Sequence, residues 1–192
     1  MKIHIIRHGS TVANEKKLYC GLTDLPLSKK GRSEIHHYKG MGIYPDAPDL
    51  FFVSDLVRTR ETLNLIYGSV EAVSLPELAE FNFGKFEMKS HEELKEQSDY
   101  QGWAYDNMGL TSCPGGECKQ QFTRRVLEGF ETLIERAKET NEIFVVSHGG
   151  VIVCIMEHLF PNVHHFYEWL PQTGRGYTLD YNVNKCFEYK KI

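Results

Sequence analysis

The sequence contains no apolar run long enough to cross a membrane. Its longest such stretch, around Ile143 to Ile155, is interrupted by Ser147-His148-Gly149-Gly150, whereas a membrane-spanning helix needs about 20 consecutive apolar residues. The opening segment, MKIHIIRHGS, has too short an apolar core for a secretory signal peptide. We therefore expect a cytoplasmic protein with no membrane partner.

Long basic runs are also missing. The chain has 22 Lys and Arg against 26 Asp and Glu, which gives a net charge of −4 with histidine neutral. This balance is not typical of proteins that bind nucleic acid or an acidic membrane surface. An anionic ligand would have to bind in a local basic pocket of a mildly acidic protein.

The five cysteines include no CxxC pair. Their odd number and the missing export signal favour reduced thiols. Cys113 and Cys118 are close enough in sequence to pair or to share a metal. No nearby histidine or further cysteine completes a ligand set, so we expect no metal site.

No internal repeat or low-complexity linker divides the 192 residues, and this length suits one domain spanning 1–192. Apolar runs typical of strands alternate with stretches of helical periodicity. The alternation predicts an α/β fold with three α/β/α layers and a mostly parallel central sheet. The predicted strands are 1–6, 50–53, 70–73, 142–146, 177–181 and 186–189, the last two as a hairpin. The predicted helices are 28–39, 56–67 with a cap at Ser54-Asp55, 117–140, and one that ends near Phe160.

Basic side chains follow three of these strands. Arg7 and His8 come after the first strand, Arg58 lies in the helix after the second, and His148 follows the IFVV strand. Ligands of parallel sheets bind at the carboxyl ends of the strands, where helix N-termini add N–H donors. Arginine forks bind phosphate oxygens well. The pattern predicts a pocket for a tetrahedral dianion.

His8 is the candidate nucleophile of this pocket. Neutral imidazole attacks phosphorus readily, and phosphoryl transfer otherwise needs charge stabilisation and a proton for the leaving group. We expect the other ring nitrogen to donate to a backbone carbonyl, which fixes the tautomer. The motifs RHG, SDLVRT and SHGG are weak signals singly; their order and their positions after strands favour a site. This chemistry requires no metal or other cofactor.

Over about residues 1–160 the chain resembles the histidine phosphatase (phosphoglycerate mutase-like) superfamily. The matching segments occur in the family's order. They are RHGSTVAN at 7–14, CGLTDLPLSKKG at 20–31, SDLVRTRET at 54–62, LAEFNFGKFE at 78–87, PGGEC at 114–118 and VVSHGG at 145–150.

The resemblance implies a role for each matching residue. His8 corresponds to the phosphorylated nucleophile. Arg7, Arg58 and His148 correspond to the residues of the phosphate pocket. Glu80 corresponds to the general acid, which protonates the leaving oxygen and then activates water against the phosphohistidine.

Four further residues are candidates for substrate binding. Asn14 matches the asparagine that contacts phosphate, and Gly21 and Gly149 belong to the matching motifs. His91 lies in the irregular segment 76–116, which in this family covers the active site. The partner implied is a small phosphorylated metabolite, and the oligomeric state stays open.

Two positions depart from the family pattern, and two carboxylates compete with Glu80. Ser10 replaces the usual glutamate after RHG. Cys20 stands where serine or threonine is common, so its phosphate contact is open. Glu77 and Glu87 flank Glu80, but only Glu80 matches the motif, and the other two are more typical of surface or structural residues.

The run LAEFNFGKFEMKSHEEL and the PGGEC motif resemble the alpha-ribazole phosphatases, which implies a ribazole nucleotide as substrate. Tyr100, Trp103 and Tyr105 either stack on such a ring or simply pack the segment. A broad-specificity sugar-phosphate or nucleotide phosphatase is an open alternative. A phosphoglycerate mutase is disfavoured because the chain is short after Glu80. A silent phosphate-binding relative is disfavoured by the intact set of pocket residues.

Overall fold

The computed structural model describes residues 1–182 and 185–192, without the side chains of 185–187. Six strands and eight α-helices alternate along these residues. The strands are β1 (Lys2–Arg7), β2 (Leu50–Val53), β3 (Val73–Ser74), β4 (Glu142–Ser147), β5 (Gly176–Asn182) and β6 (Lys185–Lys191). The helices are α1 (Val12–Glu15), α2 (Lys29–Gly40), α3 (Val57–Tyr67), α4 (His91–Leu94), α5 (Ser98–Ala104), α6 (Lys119–Arg136), α7 (Gly149–Leu159) and α8 (Phe166–Trp169).

The six strands form one sheet in the order β3-β2-β4-β1-β5-β6. The first four are mutually parallel, and β5 and β6 are antiparallel to their neighbours. Alternate residues of β4 contribute to two separate apolar clusters: Ile143 and Val145 to the cluster with α6 and α7, Phe144 and Val146 to the cluster with α2 and α3. Because successive strand side chains point to opposite faces, helices cover both faces. The predicted α/β class is confirmed.

Local signals in the sequence explain several boundaries. The Ser28 hydroxyl accepts a hydrogen bond from Gly31 N at 3.0 Å and begins α2, as predicted. The long helix is shorter than predicted: Cys118 and Gln121 form the capping box of α6, which ends at Arg136. The cap predicted at Ser54-Asp55 is wrong. Leu56 is the N-cap of α3, since the Ser54 hydroxyl is hydrogen-bonded to His148 instead.

The short third strand also differs from expectation. It comprises Val73–Ser74 instead of 70–73 and pairs with the edge of β2. The terminal hairpin is confirmed, because β5 pairs antiparallel with β6. Its connecting residues 183–184 lie outside the described part of the chain.

Segment 76–116 consists of short elements instead of one regular one. It contains 3-10 turns at Pro76–Leu78 and Gly84–Phe86, followed by α4 and α5. Gly84 has φ +51°, and a side chain there would collide with the Pro114 carbonyl. The glycine thus lets the PGGEC motif pack backbone to backbone against the segment that follows Glu80.

No helix of the described residues is both long and apolar enough to span a bilayer. Cys113 and Cys118 are buried free thiols. Within residues 1–182 and 185–192, no group of three His, Cys, Asp or Glu side chains is placed to hold a metal ion.

Candidate active site

The three strand ends singled out in the sequence lie side by side. In the sheet β4 separates β1 from β2, with Arg7 opposite Ser147 and Val53 opposite Val146. The chain leaves these ends at His8, Ser54 and His148. All three side chains are buried, at 5%, 0% and 0% exposure.

The ring of His8 has its proton fixed by the main chain. Nδ1 lies 2.7 Å from the Gly9 carbonyl oxygen. Because a carbonyl only accepts, Nδ1 carries the proton and Nε2 keeps its lone pair. Burial, then the charges of Arg58 and Arg7, hold the pKa of His8 well below its ordinary value. The ring is therefore neutral at physiological pH and keeps a lone pair on Nε2, and its role as nucleophile stays a prediction.

A threonine outside the predicted set supports this arrangement. The Thr62 hydroxyl accepts a hydrogen bond from Gly9 N at 2.9 Å and donates to the Arg58 carbonyl at 2.7 Å. It thus orients the peptide whose oxygen holds His8. Thr62 is fully buried in α3.

Two arginines supply the positive charge of the site. Arg58 is 1% exposed and donates to the carbonyls of Gly21, at 2.6 Å, and Thr23, at 3.0 Å. Arg7 donates from Nη1 to the Pro171 carbonyl at 3.1 Å, while its buried Nε has no partner among the described residues. Burial lowers the pKa of both guanidinium groups, and the Glu80 carboxylate acts in the opposite direction on both. Both remain charged, since arginine does not deprotonate in proteins.

The ring of His148 lies beside that of His8, with 5.1 Å between centroids and a T-shaped arrangement. Its Nε2 contacts the Ser54 hydroxyl, and its buried Nδ1 has no hydrogen-bond partner among the described residues. Burial and the charge of Arg58 hold the pKa of His148 well below its ordinary value. The site thus contains two neutral imidazoles and two buried nitrogens, Arg7 Nε and His148 Nδ1, that have no hydrogen-bond partner among the described residues.

Glu80 is held at the N-terminus of α7. Its carboxylate accepts from Phe81 N at 2.9 Å and from Gly150 N at 3.0 Å. A side chain at Gly150 would come within 2.5 Å of the carboxylate, so glycine is what permits the contact. The predicted general acid therefore lies at the same helix terminus as His148 and within the electrostatic field of both arginines.

Asn14 and Gly149 border the phosphate-pocket residues. The Asn14 side-chain oxygen accepts from Thr11 N at 2.9 Å in the capping box of α1, which leaves the amide nitrogen as a donor. Asn14, Arg7 and Ser10 line a cavity of about 550 Å³. A side chain at Gly149 would lie 2.7 Å from Leu170 Cδ1 and 3.3 Å from the guanidinium carbon of Arg7, so this glycine makes room for both side chains.

Gly21 is engaged within the protein. Its N–H donates to Glu87 at 3.0 Å and its carbonyl accepts from Arg58. Both polar groups of its backbone are therefore used to position Arg58. Substrate contact at Gly21 stays a prediction.

Glu87 has a structural role, which is one of the two interpretations that the sequence favoured, and its contacts reach the loop beside Arg58. Its carboxylate accepts hydrogen bonds from the N–H groups of the 21–23 loop, from the Thr23 hydroxyl and from Phe83 N. The same loop holds Arg58 through two carbonyls. The carboxylate thus links segment 76–116 to the phosphate pocket, whereas Glu77 is exposed. A glutamate inside GKFE carries no signal for such long-range contacts.

His91 does not join the cluster of His8 and His148. It is exposed, and its Nδ1 lies 2.7 Å from the Tyr100 hydroxyl, which in turn contacts Tyr19 at 2.6 Å. Tyr100 and Trp103 are buried, at 3% and 8% exposure, among the aromatic rings of segment 76–116. These two therefore pack the segment and are not free to stack on a substrate.

Cys20 lies beside the pocket. Its thiol is 3.5 Å from the Thr23 carbonyl. Burial raises its pKa, and the charge of Arg58 acts in the opposite direction. A neutral thiol close to Arg58 is a weaker phosphate contact than the hydroxyl common at this position.

An imidazole with a free Nε2, set among arginines at the carboxyl edge of a parallel sheet, defines the class of α/β phosphoryl-transfer proteins. The particular family is shown by comparison. The model of the histidine phosphatase superfamily (branch 1) matches residues 3–186, and the chain belongs to this family.

Relatives of known name agree with this assignment. An adenosylcobalamin/alpha-ribazole phosphatase of Salmonella typhimurium is 32% identical over 164 residues, which cover 83% of this chain and 79% of the relative. A 2,3-bisphosphoglycerate-dependent phosphoglycerate mutase of Cytophaga hutchinsonii is 29% identical, with 81% and 75% covered. The crystal structure of the alpha-ribazole phosphatase from Shigella flexneri superposes with a TM-score of 0.84 at 28% identity, with 97% and 93% covered.

Proposed function

We propose that this protein hydrolyses a phosphomonoester through a phosphohistidine at His8. The observation that carries the proposal is the hydrogen bond from Nδ1 to the Gly9 carbonyl. It leaves Nε2 as an unprotonated nucleophile in a pocket with two arginines. Asn14, through its free amide nitrogen, is a further donor to the phosphoryl oxygens.

The reaction proceeds in two displacements. The Nε2 lone pair attacks phosphorus, the bond from phosphorus to the ester oxygen breaks, and Glu80 gives that oxygen a proton. Glu80 then accepts a proton from water as the water oxygen attacks the phosphohistidine, which releases inorganic phosphate and restores His8. Arg7, Arg58 and His148 stabilise the charge on the equatorial oxygens in both steps.

Alpha-ribazole phosphate is the substrate we propose first, as a small metabolite of the cytoplasm. The relatives named for that substrate support it, at 32% and 28% identity. Because Tyr100 and Trp103 are buried, stacking by these two rings is not the source of such specificity, whereas Tyr105 is 74% exposed. A broad-specificity phosphatase is the second candidate, and the burial of Tyr100 and Trp103 favours it.

A substrate panel tests the proposal. It contains alpha-ribazole phosphate, sugar phosphates, nucleotides and 3-phosphoglycerate, the last with and without a bisphosphorylated primer. We expect release of inorganic phosphate from at least the first, without a primer. His8→Ala should abolish it, while His36→Ala, at an exposed position of α2, should retain it. Primer-dependent isomerisation without hydrolysis, or turnover by His8→Ala, would contradict the proposal.

A further inference from the structure

A serine outside the predicted set touches the second imidazole of the site. Ser54 Oγ lies 2.5 Å from His148 Nε2, and both residues are fully buried. Ser54 is the first residue after β2, and His148 is the first after β4. Because these strands are paired neighbours, the sheet itself holds the hydroxyl against the ring.

Two placements of the ring proton satisfy this contact. The serine can donate to Nε2, so that Nδ1 carries the proton, or Nε2–H can donate to the serine oxygen. The choice exists because His148 is neutral: burial, followed by the charge of Arg58, keeps its pKa far below the ordinary value. A neutral imidazole has one N–H donor and one acceptor, and the partner of one nitrogen decides the state of the other.

The surroundings of Nδ1 favour the first placement. This nitrogen is buried without a partner among the described residues, and an unpaired buried polar group is unfavourable until a ligand satisfies it. The ring lies edge-on to His8, so the phosphoryl group that His8 attacks is the ligand within reach. Ionised phosphoryl oxygens only accept hydrogen bonds. Nδ1 therefore needs its proton to bind them.

We propose that Ser54 is a positioning residue that donates its hydroxyl proton to Nε2 of His148 and so holds the ring as the Nδ1–H tautomer. In this form His148 donates to the transferring phosphoryl group. The inference rests on the proposed phosphoryl transfer at His8 and adds how the second imidazole is prepared for it. His8 and His148 then share one tautomer, with His8 offering its Nε2 lone pair and His148 its Nδ1 proton.

Substitution of the serine tests the consequence for catalysis. Ser54→Ala should lower kcat and kcat/KM together, by roughly 10- to 100-fold, as loss of an orienting partner does. Thr59→Val is the matched control. Thr59 is another fully buried residue of the same strand-to-helix junction, and its hydroxyl donates to the Leu56 carbonyl at 2.7 Å. This variant should keep the wild-type kcat.

Histidine-ring NMR reads the tautomer without substrate. We expect the His148 proton on Nδ1 in the wild type, with the His8 signal as an internal reference for that form. Ser54→Ala should shift His148 toward a mixture of tautomers. Ser54→Cys, which retains a weak donor, should fall between the two in both tautomer and kcat.

Two results would overturn the inference: a wild-type His148 with its proton on Nε2, or Ser54→Ala with wild-type kcat and tautomer. A wild-type protein that hydrolyses no phosphomonoester would instead contradict the proposed function. Because the tautomer is measured on the free protein, failure of the inference can be distinguished from failure of the proposed function. The His148 tautomer of the wild type tests the inference even if a Ser54 variant does not fold.

Discussion

At His8, a single backbone carbonyl sets which ring nitrogen can attack. The Gly9 oxygen binds Nδ1, and Thr62 orients the Gly9 peptide from the other side. These contacts cost no reorganisation when substrate arrives, because all the groups are already buried and paired. Reactivity at this residue is therefore a property of its neighbours in the fold.

If Glu80 is the general acid, the effect of replacing it should depend on the leaving group of the ester. Glu80→Gln keeps the size of the side chain but has no proton to give an ester oxygen. A general acid contributes roughly 100- to 10,000-fold, and only where the leaving group needs protonation. We expect a loss of that order in kcat on alkyl phosphates and a much smaller loss on aryl phosphates.

Glu77→Gln is the control, since Glu77 is exposed three positions earlier. It should behave as wild type on both classes of ester. Equal losses on alkyl and aryl phosphates in Glu80→Gln would argue that the carboxylate positions the substrate without donating a proton.

At the scale of elements, the Glu87 carboxylate connects segment 76–116 to the 21–23 loop beside Arg58. Glu87 holds the 21–23 loop through its N–H groups, and the Gly21 and Thr23 carbonyls of that loop hold Arg58. The position of Arg58 in α3 therefore depends on Glu87, which lies in segment 76–116. Substitution of Glu87 should therefore weaken phosphate binding.

Glu87→Gln tests this connection. An amide has one acceptor oxygen where the carboxylate has two, so part of the loop loses its partner. We expect roughly 10- to 100-fold weaker inhibition by inorganic phosphate, because Arg58 is no longer held in place. Glu93→Gln is the matched control in the same segment, since Glu93 only caps α4 at the surface. Unchanged phosphate inhibition in Glu87→Gln would refute the connection.

The strands that carry the site could be predicted, but its supporting contacts could not. Apolar runs place Arg7, His8 and His148 after strands, and parallel pairing then brings them together. The contacts of Ser54 and Glu87 join residues 94 and 64–66 positions apart. Such hydrogen bonds leave no periodic pattern. Ser54 in particular is predicted as a helix cap from its sequence, because the pairing of β2 with β4, which brings it to His148, is not visible there.

At the scale of the whole molecule, the sheet places two neutral imidazoles in the buried interior, and this couples stability to pH. His8 and His148 bind protons more weakly when folded than when unfolded, since burial lowers the pKa of both. The unfolded chain therefore takes up more protons below the ordinary histidine pKa of about 6.5. Stability is full above that pH and declines as the pH falls below it.

We expect the free energy of unfolding to fall between pH 7 and pH 5, by up to about 1.4 kcal/mol per pH unit for each ring. Chemical denaturation at several pH values measures it. His148→Asn should flatten the dependence, whereas His36→Ala, an exposed position, should not. A wild-type stability that is constant over this range would contradict the assignment of two neutral buried imidazoles.

The proposed reaction depends most directly on which atom becomes phosphorylated. Rapid quenching of the wild type during turnover, followed by mapping of acid-labile phosphate to residue and ring nitrogen, answers this. We predict phosphate on Nε2 of His8, because Nδ1 is bound to the Gly9 carbonyl. Phosphate on Nδ1, on another residue, or on no residue at all would contradict the central claim.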